Sequence, residues 1–322
     1  MKTRVTELFG IKYPIICGAM LHLAKPQLCA AVSNAGGLGN ITALNYDTGE
    51  ELRSAIRETR KLTDKPIGIN ITLMPSFRIT PEIYDDFFRV CCEEKVTVID
   101  ISGAPAKKYI NMVHEAGVKI MHKVGSVRHA LNIEKLGYDA VIAAGAEEGG
   151  HPLDDDVTTM VLTPRMVESV KIPVITAGGI ADGRGLAAAL SLGAEGVFMA
   201  TRFINTKECE IHSNFWDELI RRQEQDTTLV GKTLKLQGRA LKNKNVETIL
   251  ELEKQGSGID ILGPLLSGQR MREAYETGDL DFATFMVGQT TGLIKDVVSC
   301  KELIDRMMKE AEQIFKNNLA RF

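Results

Sequence analysis

The thirty residues "VITAGGIADGRGLAAALSLGAEGVFMATRF", Val174–Phe203, hold the reading that decides the fold. A β-branched apolar run, Val174 to Ala177, ends in Gly178 and Gly179. A small-residue stretch follows with apolar positions at helical spacing, and a second apolar run then ends in Ala200 and Thr201. Strand, helix, strand in so few residues is a parallel βαβ unit. Glycine weakens regular structure unless the backbone must turn sharply or come close to something. Gly178 and Gly179 therefore mark a place where backbone N–H groups can be presented to a ligand.

The same rhythm extends back to the start of the chain. Eight strand candidates recur: "YPIICGAM", "GLGNITAL", "PIGINITL", "VTVIDISG", "KIMHKVGS", "AVIAAG", "PVITAGG" and "GVFMATRF", with starts 21 to 33 residues apart. Stretches such as "GEELRSAIRETRKL" and "VRHALNIEKLG" separate them and carry apolar residues at i, i+3, i+4 and i+7. Near-continuous apolar strands imply burial on both faces. Eight successive βα units predict an α/β fold, a (β/α)8 TIM barrel, rather than an open doubly wound sheet. After Phe203 the segments read as helices without convincing strands. The predicted organisation is a barrel over 1–203, a helical substrate-side lobe over 204–280, and a C-terminal segment and helix over 281–322 packing back on the barrel.

Composition excludes several functions. The 322 residues carry a formal net charge of −3, with no basic tract interleaved with aromatics, so no nucleic-acid partner is expected. No apolar run reaches the length of a membrane span and the N-terminus lacks a signal-peptide core, which predicts a cytoplasmic protein. The six cysteines have neither zinc-motif spacing nor disulfide density, so reduced thiols and no metal site are expected.

In a barrel, ligands meet the loops at the C-terminal ends of the strands, and phosphate often lies on those after strands 7 and 8. Ala177, Gly178 and Gly179 on one loop, with Ala200 and Thr201 on the next, form an anion cradle, to which the helix starting near Asp182 would add its dipole. Either loop alone reads equally well as a tight βα turn.

These motifs are similar to those of the FMN-dependent family of nitronate monooxygenases (2-nitropropane dioxygenases), flavin-type enoyl-acyl-carrier-protein reductases and NADH:quinone reductases. The likeness runs from "FGIKYPIICGAM" through "AAVSNAGGLG", "EEGGHPLDDD" and "PVITAGGIADGRG" to "LLSGQRMREAYETGDLDFATFMVGQTTGLI". It implies FMN, with its phosphate at Gly178, Gly179, Ala200 and Thr201, and its ring near Gly18, Ala19 and Met20. Asn70 and Lys123 would bind from strands 3 and 5. Ala144, Gly145, Gly149, Gly150 and Ala177 complete the implied cofactor set. An ammonium at Lys123 would stabilise negative charge on a reduced flavin. His151 would be the catalytic residue, assisting substrate binding or proton transfer. His122 should face away from Lys123, and His129 reads as a helix or surface residue.

The segment "HKVGSVRHALNIEKLGYDAV" and the acidic Asp154–Asp156 run, with Pro75, resemble the quinone reductase group most. The implied activity is FMN-dependent oxidation of NADH or NADPH with reduction of a quinone or similar small-molecule electron acceptor. The alternatives are nitronate oxidation with O2 and enoyl-thioester reduction. The acidic run would repel a phosphorylated acyl carrier, or else cap the following helix. A homodimer is compatible with the sequence.

Overall fold

The computed structural model describes residues 1–74, 79–152 and 155–321. Its frame is eight parallel strands: β1 (Ile15–Cys17), β2 (Gly39–Thr42), β3 (Ile67–Leu73), β4 (Val98–Gly103), β5 (Lys119–Val124), β6 (Ala140–Ala144), β7 (Val174–Ala177) and β8 (Gly196–Met199). Sequence neighbours are sheet neighbours throughout, β8 pairs with β1, and an isolated parallel bridge from Ile16 to Leu38 closes β1 onto β2. The result is the (β/α)8 barrel. No strand order reverses, which is what separates it from a doubly wound sheet.

Alternation along each strand divides the side chains between two layers. Ile16, Leu38, Val98, Met121, Ala140, Ile142, Ile175 and Phe198 fill the lumen. Ile99, Ile101, Ile120, Val141 and Val174 face the surrounding helices. Burial on both faces is why the strands carry little polarity, and the exceptions in the lumen, Asn40, Asn70 and Asp100, are all fully buried. Asn40 is the second residue of β2, Asn70 the middle residue of β3 and Asp100 the third of β4, so they stand within the barrel rather than at its rim.

The expectation of a strandless region after Phe203 is not met. β9 (Thr227–Val230) and β10 (Gly238–Leu241) form an antiparallel hairpin, with Gly238 opposite Val230. An antiparallel bridge from Gly150 to Arg239 ties it to the barrel's β6 loop. Helices Ile259–Leu265 and Gly268–Thr277 follow, and the long helix Cys300–Leu319 packs against Gly183–Ser191. Among the described residues no helix is long and apolar enough to cross a membrane.

Candidate active site

A cavity of about 890 Å³ opens over the C-terminal ends of the strands, near the upper end of the roughly 300–1,000 Å³ typical of small-molecule sites. Its base is the paired loop system foreseen at β7 and β8. Gly178 and Gly179 take left-handed φ values of +96° and +75°, which strain any residue with a Cβ. Beside them Thr201 opens a short helical turn with no side-chain cap.

A third strand of chain completes this base. Gly288 donates its N–H to Thr201 Oγ1 at 3.0 Å, and Gln289 donates to the Glu147 carbonyl at 3.0 Å. A Cβ on Gly149 would stand 2.6 Å from the backbone of Val287 and Gly288. Glycine here permits the contact between the β6 loop and the segment around Gly288, some 140 residues apart in the chain.

The expected contribution of the helix after β7 is not found. Asp182 accepts from the N–H groups of Arg184 and Gly185, and Glu310 from that of Gly183 at 2.8 Å. Carboxylates already occupy that helix N-terminus. Helix Thr159–Ser169 is capped by Glu147, which accepts from Thr159 N–H and Oγ1 at 2.9 Å. Asp155 and Asp156 are exposed. Asp154 and Pro75 lie outside the described residues.

Ala19, Met20, Asn70, Lys123, Ala144, Gly149, Gly150, His151, Ala177, Gly178, Gly179, Ala200 and Thr201 all meet the cavity. Gly18 and Gly145 do not reach its wall. Gly18 lets β1 pass the Phe198 ring, which a Cβ would meet at 2.6 Å. Gly145 donates to the Ala177 carbonyl, pinning β6 to β7. His122 turns away from Lys123 as alternation requires and meets the Tyr138 ring edge-on at 5.4 Å. Burial pushes its imidazole down to about 4. His129 lies on helix Val127–Leu136, as its reading as a helix or surface residue allowed, and it also borders the cavity.

Two carboxylates in the site were not foreseen. Glu148 receives the Lys123 ammonium at 2.9 Å on each oxygen. Burial raises the Glu148 carboxyl above its ordinary range, and Lys123 pulls it partly back. Asp100, beneath, is pushed up to about 7 by burial, against the Asn70 bond and the attraction of Lys123. Doubled glutamate in "AEEGGH" was a visible signal; Asp100 looked like one polar break in an apolar strand.

His151 depends on the hairpin. Its Nδ1 lies 2.7 Å from the Gln237 carbonyl, which can only accept, so Nδ1 carries the proton and Nε2 is the acceptor. Burial lowers the His151 pKa, opposed by that bond and reinforced by nearby Lys123. The imidazole is neutral at pH 7.

These residues fit FMN on structural grounds: a glycine cradle that side chains would fill, a buried cation, and the Asn70 amide over the lumen. Among the described residues no three His, Cys, Asp or Glu side chains converge on a metal position.

The nitronate monooxygenase family model matches residues 2–86 and 76–310. A (3aS,4S,5R,7aS)-5-hydroxy-7a-methyl-1-oxo-octahydro-1H-indene-4-carboxyl-CoA dehydrogenase of Rhodococcus jostii is 33% identical, over 97% of this chain and 96% of its own. A probable nitronate monooxygenase of Staphylococcus saprophyticus is 31% identical, over 98% and 99%. The solved structure of FabK from Thermotoga maritima superposes with a TM-score of 0.93 at 40% identity, covering 100% of both chains. Family match, full-length similarity and superposition agree: the chain belongs to the nitronate monooxygenase family of flavin-dependent oxidoreductases.

Proposed function

We propose that the protein is an FMN-dependent NAD(P)H oxidoreductase whose acceptor is a carbon–carbon double bond conjugated to a carbonyl, an α,β-unsaturated acyl thioester ahead of a quinone. The observation that carries this reading is the extent of the cavity's apolar lining. Beside Lys123 and His151 it is lined by Leu21, Leu266, Met271 and Tyr275, and by Leu236 and Ile259, which are 44% and 51% exposed and so border its opening. A quinone ring would use part of that apolar corridor; an acyl chain would use more of it. Lys235 on the wall beside Leu236 offsets the acidic residues that argue against a phosphorylated carrier. The similarity to a carboxyl-CoA dehydrogenase and to FabK supports the same choice.

In this reading the backbone at Gly178, Gly179 and Thr201 would hold the cofactor phosphate. Asn70 and Lys123 would hold the polar edge of the ring. Bound FMN supplies hydride transfer between the pyridine nucleotide and the acceptor. Glu148 keeps Lys123 in place. His151, oriented by Gln237, moves a proton at Nε2, and its lowered pKa makes the protonated form a ready donor. Apolar walls exclude water from the reacting carbon.

The test is anaerobic mixing of the yellow protein with NADH and NADPH, then with crotonyl-CoA, a long-chain enoyl-CoA and a benzoquinone. Bleaching by pyridine nucleotide followed by fast reoxidation with the long thioester supports the proposal. Reoxidation by the quinone alone moves the acceptor to that class. Bleaching by an alkyl nitronate, with none by NADH or NADPH, overturns it in favour of nitronate oxidation.

A further inference from the structure

Asp100 is the one lumen carboxylate on the eight strands, and the site just described gives it no role. It is fully buried. By strand alternation it shares the interior face of β4 with Val98, one layer below Ser102 at the cavity floor. Its Oδ2 accepts from Asn70 Nδ2 at 3.1 Å, and its backbone carbonyl from the same amide at 3.2 Å. Its Oδ1 has no hydrogen-bond partner. A buried carboxylate with an orphaned oxygen is costly, and nearby apolar residues of similar size would fill the layer at lower cost.

Two consequences follow from the position. The Asn70 amide is held with nitrogen down, so its oxygen, which accepts from Thr72 Oγ1 at 3.1 Å, faces the cavity. Lys123 feels a carboxylate from each side, Glu148 from the loop and Asp100 from the floor. The groups facing Asp100 are Asn70 on β3, Met121 and then Lys123 on β5, and Ser102 on its own strand. Glu148 acts on it only through Lys123.

We propose that Asp100 is a positioning residue for the cofactor: it fixes the acceptor face of Asn70 towards the ring, and as a second carboxylate under Lys123 it lowers the electron affinity of the bound flavin. This rests on the flavin site proposed above and is independent of the acceptor. With Asp100 protonated, the ammonium is countered by Glu148 alone. With Asp100 ionised, the pocket gains a negative charge that opposes reduction of the cofactor.

Asp100→Asn keeps the shape and removes the charge. In the flavin-loaded protein at pH 8 this variant should shift the two-electron reduction equilibrium at least tenfold towards the reduced form, about 30 mV. The gap should close towards pH 6, where the wild-type carboxyl is itself protonated. Asp100→Ala, which removes the carboxylate bond to Asn70 and leaves only that to the backbone carbonyl, should weaken FMN binding at least tenfold by fluorescence titration, with Asp100→Asn much closer to wild type. In the wild-type apoprotein, a carboxyl infrared band should titrate near neutrality, so the inference is testable even if both variants fail to fold. Equal potentials for wild type and Asp100→Asn from pH 6 to 8, or ordinary titration of every carboxyl in the apoprotein, overturn the inference while leaving the flavin site standing. A wild-type protein that refuses FMN overturns both.

Discussion

The ammonium of Lys123 stands 2.9 Å from both carboxylate oxygens of Glu148, on side chains only 18% and 10% exposed. The cation presented at the cavity wall is therefore already half committed. Removing one member of such a pair leaves an uncompensated buried charge, a cost of about 3–5 kcal/mol. Glu148→Ala should lower apoprotein stability by about 3 kcal/mol in urea, and Glu148→Gln by clearly less. An unchanged Glu148→Ala midpoint would show that the ammonium is satisfied without the carboxylate.

Gly149 separates steric closeness from backbone strain. Gly149→Ala forces a Cβ to 2.6 Å from the Val287 and Gly288 backbone and should weaken FMN binding more than tenfold. Gly256→Ala is the converse case, a left-handed φ of +77°, which Gly149 does not have, with open space around it; it should lower stability while leaving FMN affinity alone. Equilibrium flavin titration of both variants is the check.

His151→Ala should retain the flavin and lose about 10²–10⁴ in turnover, the range for a positioned proton donor. Because burial lowers the imidazole pKa and the donor must carry its proton, the pH above which kcat/KM declines should lie below 6.5. A break above 6.5, or a variant that turns over normally, argues against proton transfer at Nε2.

The corridor predicts chain-length selectivity. Ile259→Ser removes apolar wall at the mouth, and at about 0.8 kcal/mol per methylene of lost contact should raise KM for long enoyl thioesters several-fold. Crotonyl thioester should be unaffected. A uniform rise across chain lengths would place the chain elsewhere.

Asp100 also predicts a pH effect on folding. Its folded pKa of about 7 lies above the ordinary 3.8, so the folded state binds the extra proton and this group's contribution to stability declines from about pH 4 to pH 7. Relative to wild type, Asp100→Asn should gain stability progressively over that window and stay level above it. Denaturant titrations of both proteins at a series of pH values measure the difference.

The barrel was legible because eight βα repeats each bury their strand on both faces, leaving a periodic apolar signature. The adjacency of Gly178, Gly179 and Thr201 was legible because strand order alone brings their loops together. The hairpin was not, because "TTLV" and "GRAL" are four residues each and lack clear alternation, and their pairing is seen only against Gly150. That omission hid what orients His151. Gly288 escaped for a related reason: nothing local distinguishes it, and its significance arises only from contact with Gly149 and Thr201. Capping of the helix that begins at Thr159 was not legible as Glu147's work, since that side chain lies twelve positions upstream and only the fold of the β6 loop brings it there.

Glu310, on the helix nearest the end of the chain, accepts from Gly183 at the foot of the β7 loop, and a Cβ on Gly183 would strike the backbone of Met307. During synthesis the barrel strands emerge from the ribosome more than a hundred residues before this buttress does. The nascent barrel therefore lacks this buttress under its β7 loop until residues 300–319 have cleared the exit tunnel and docked.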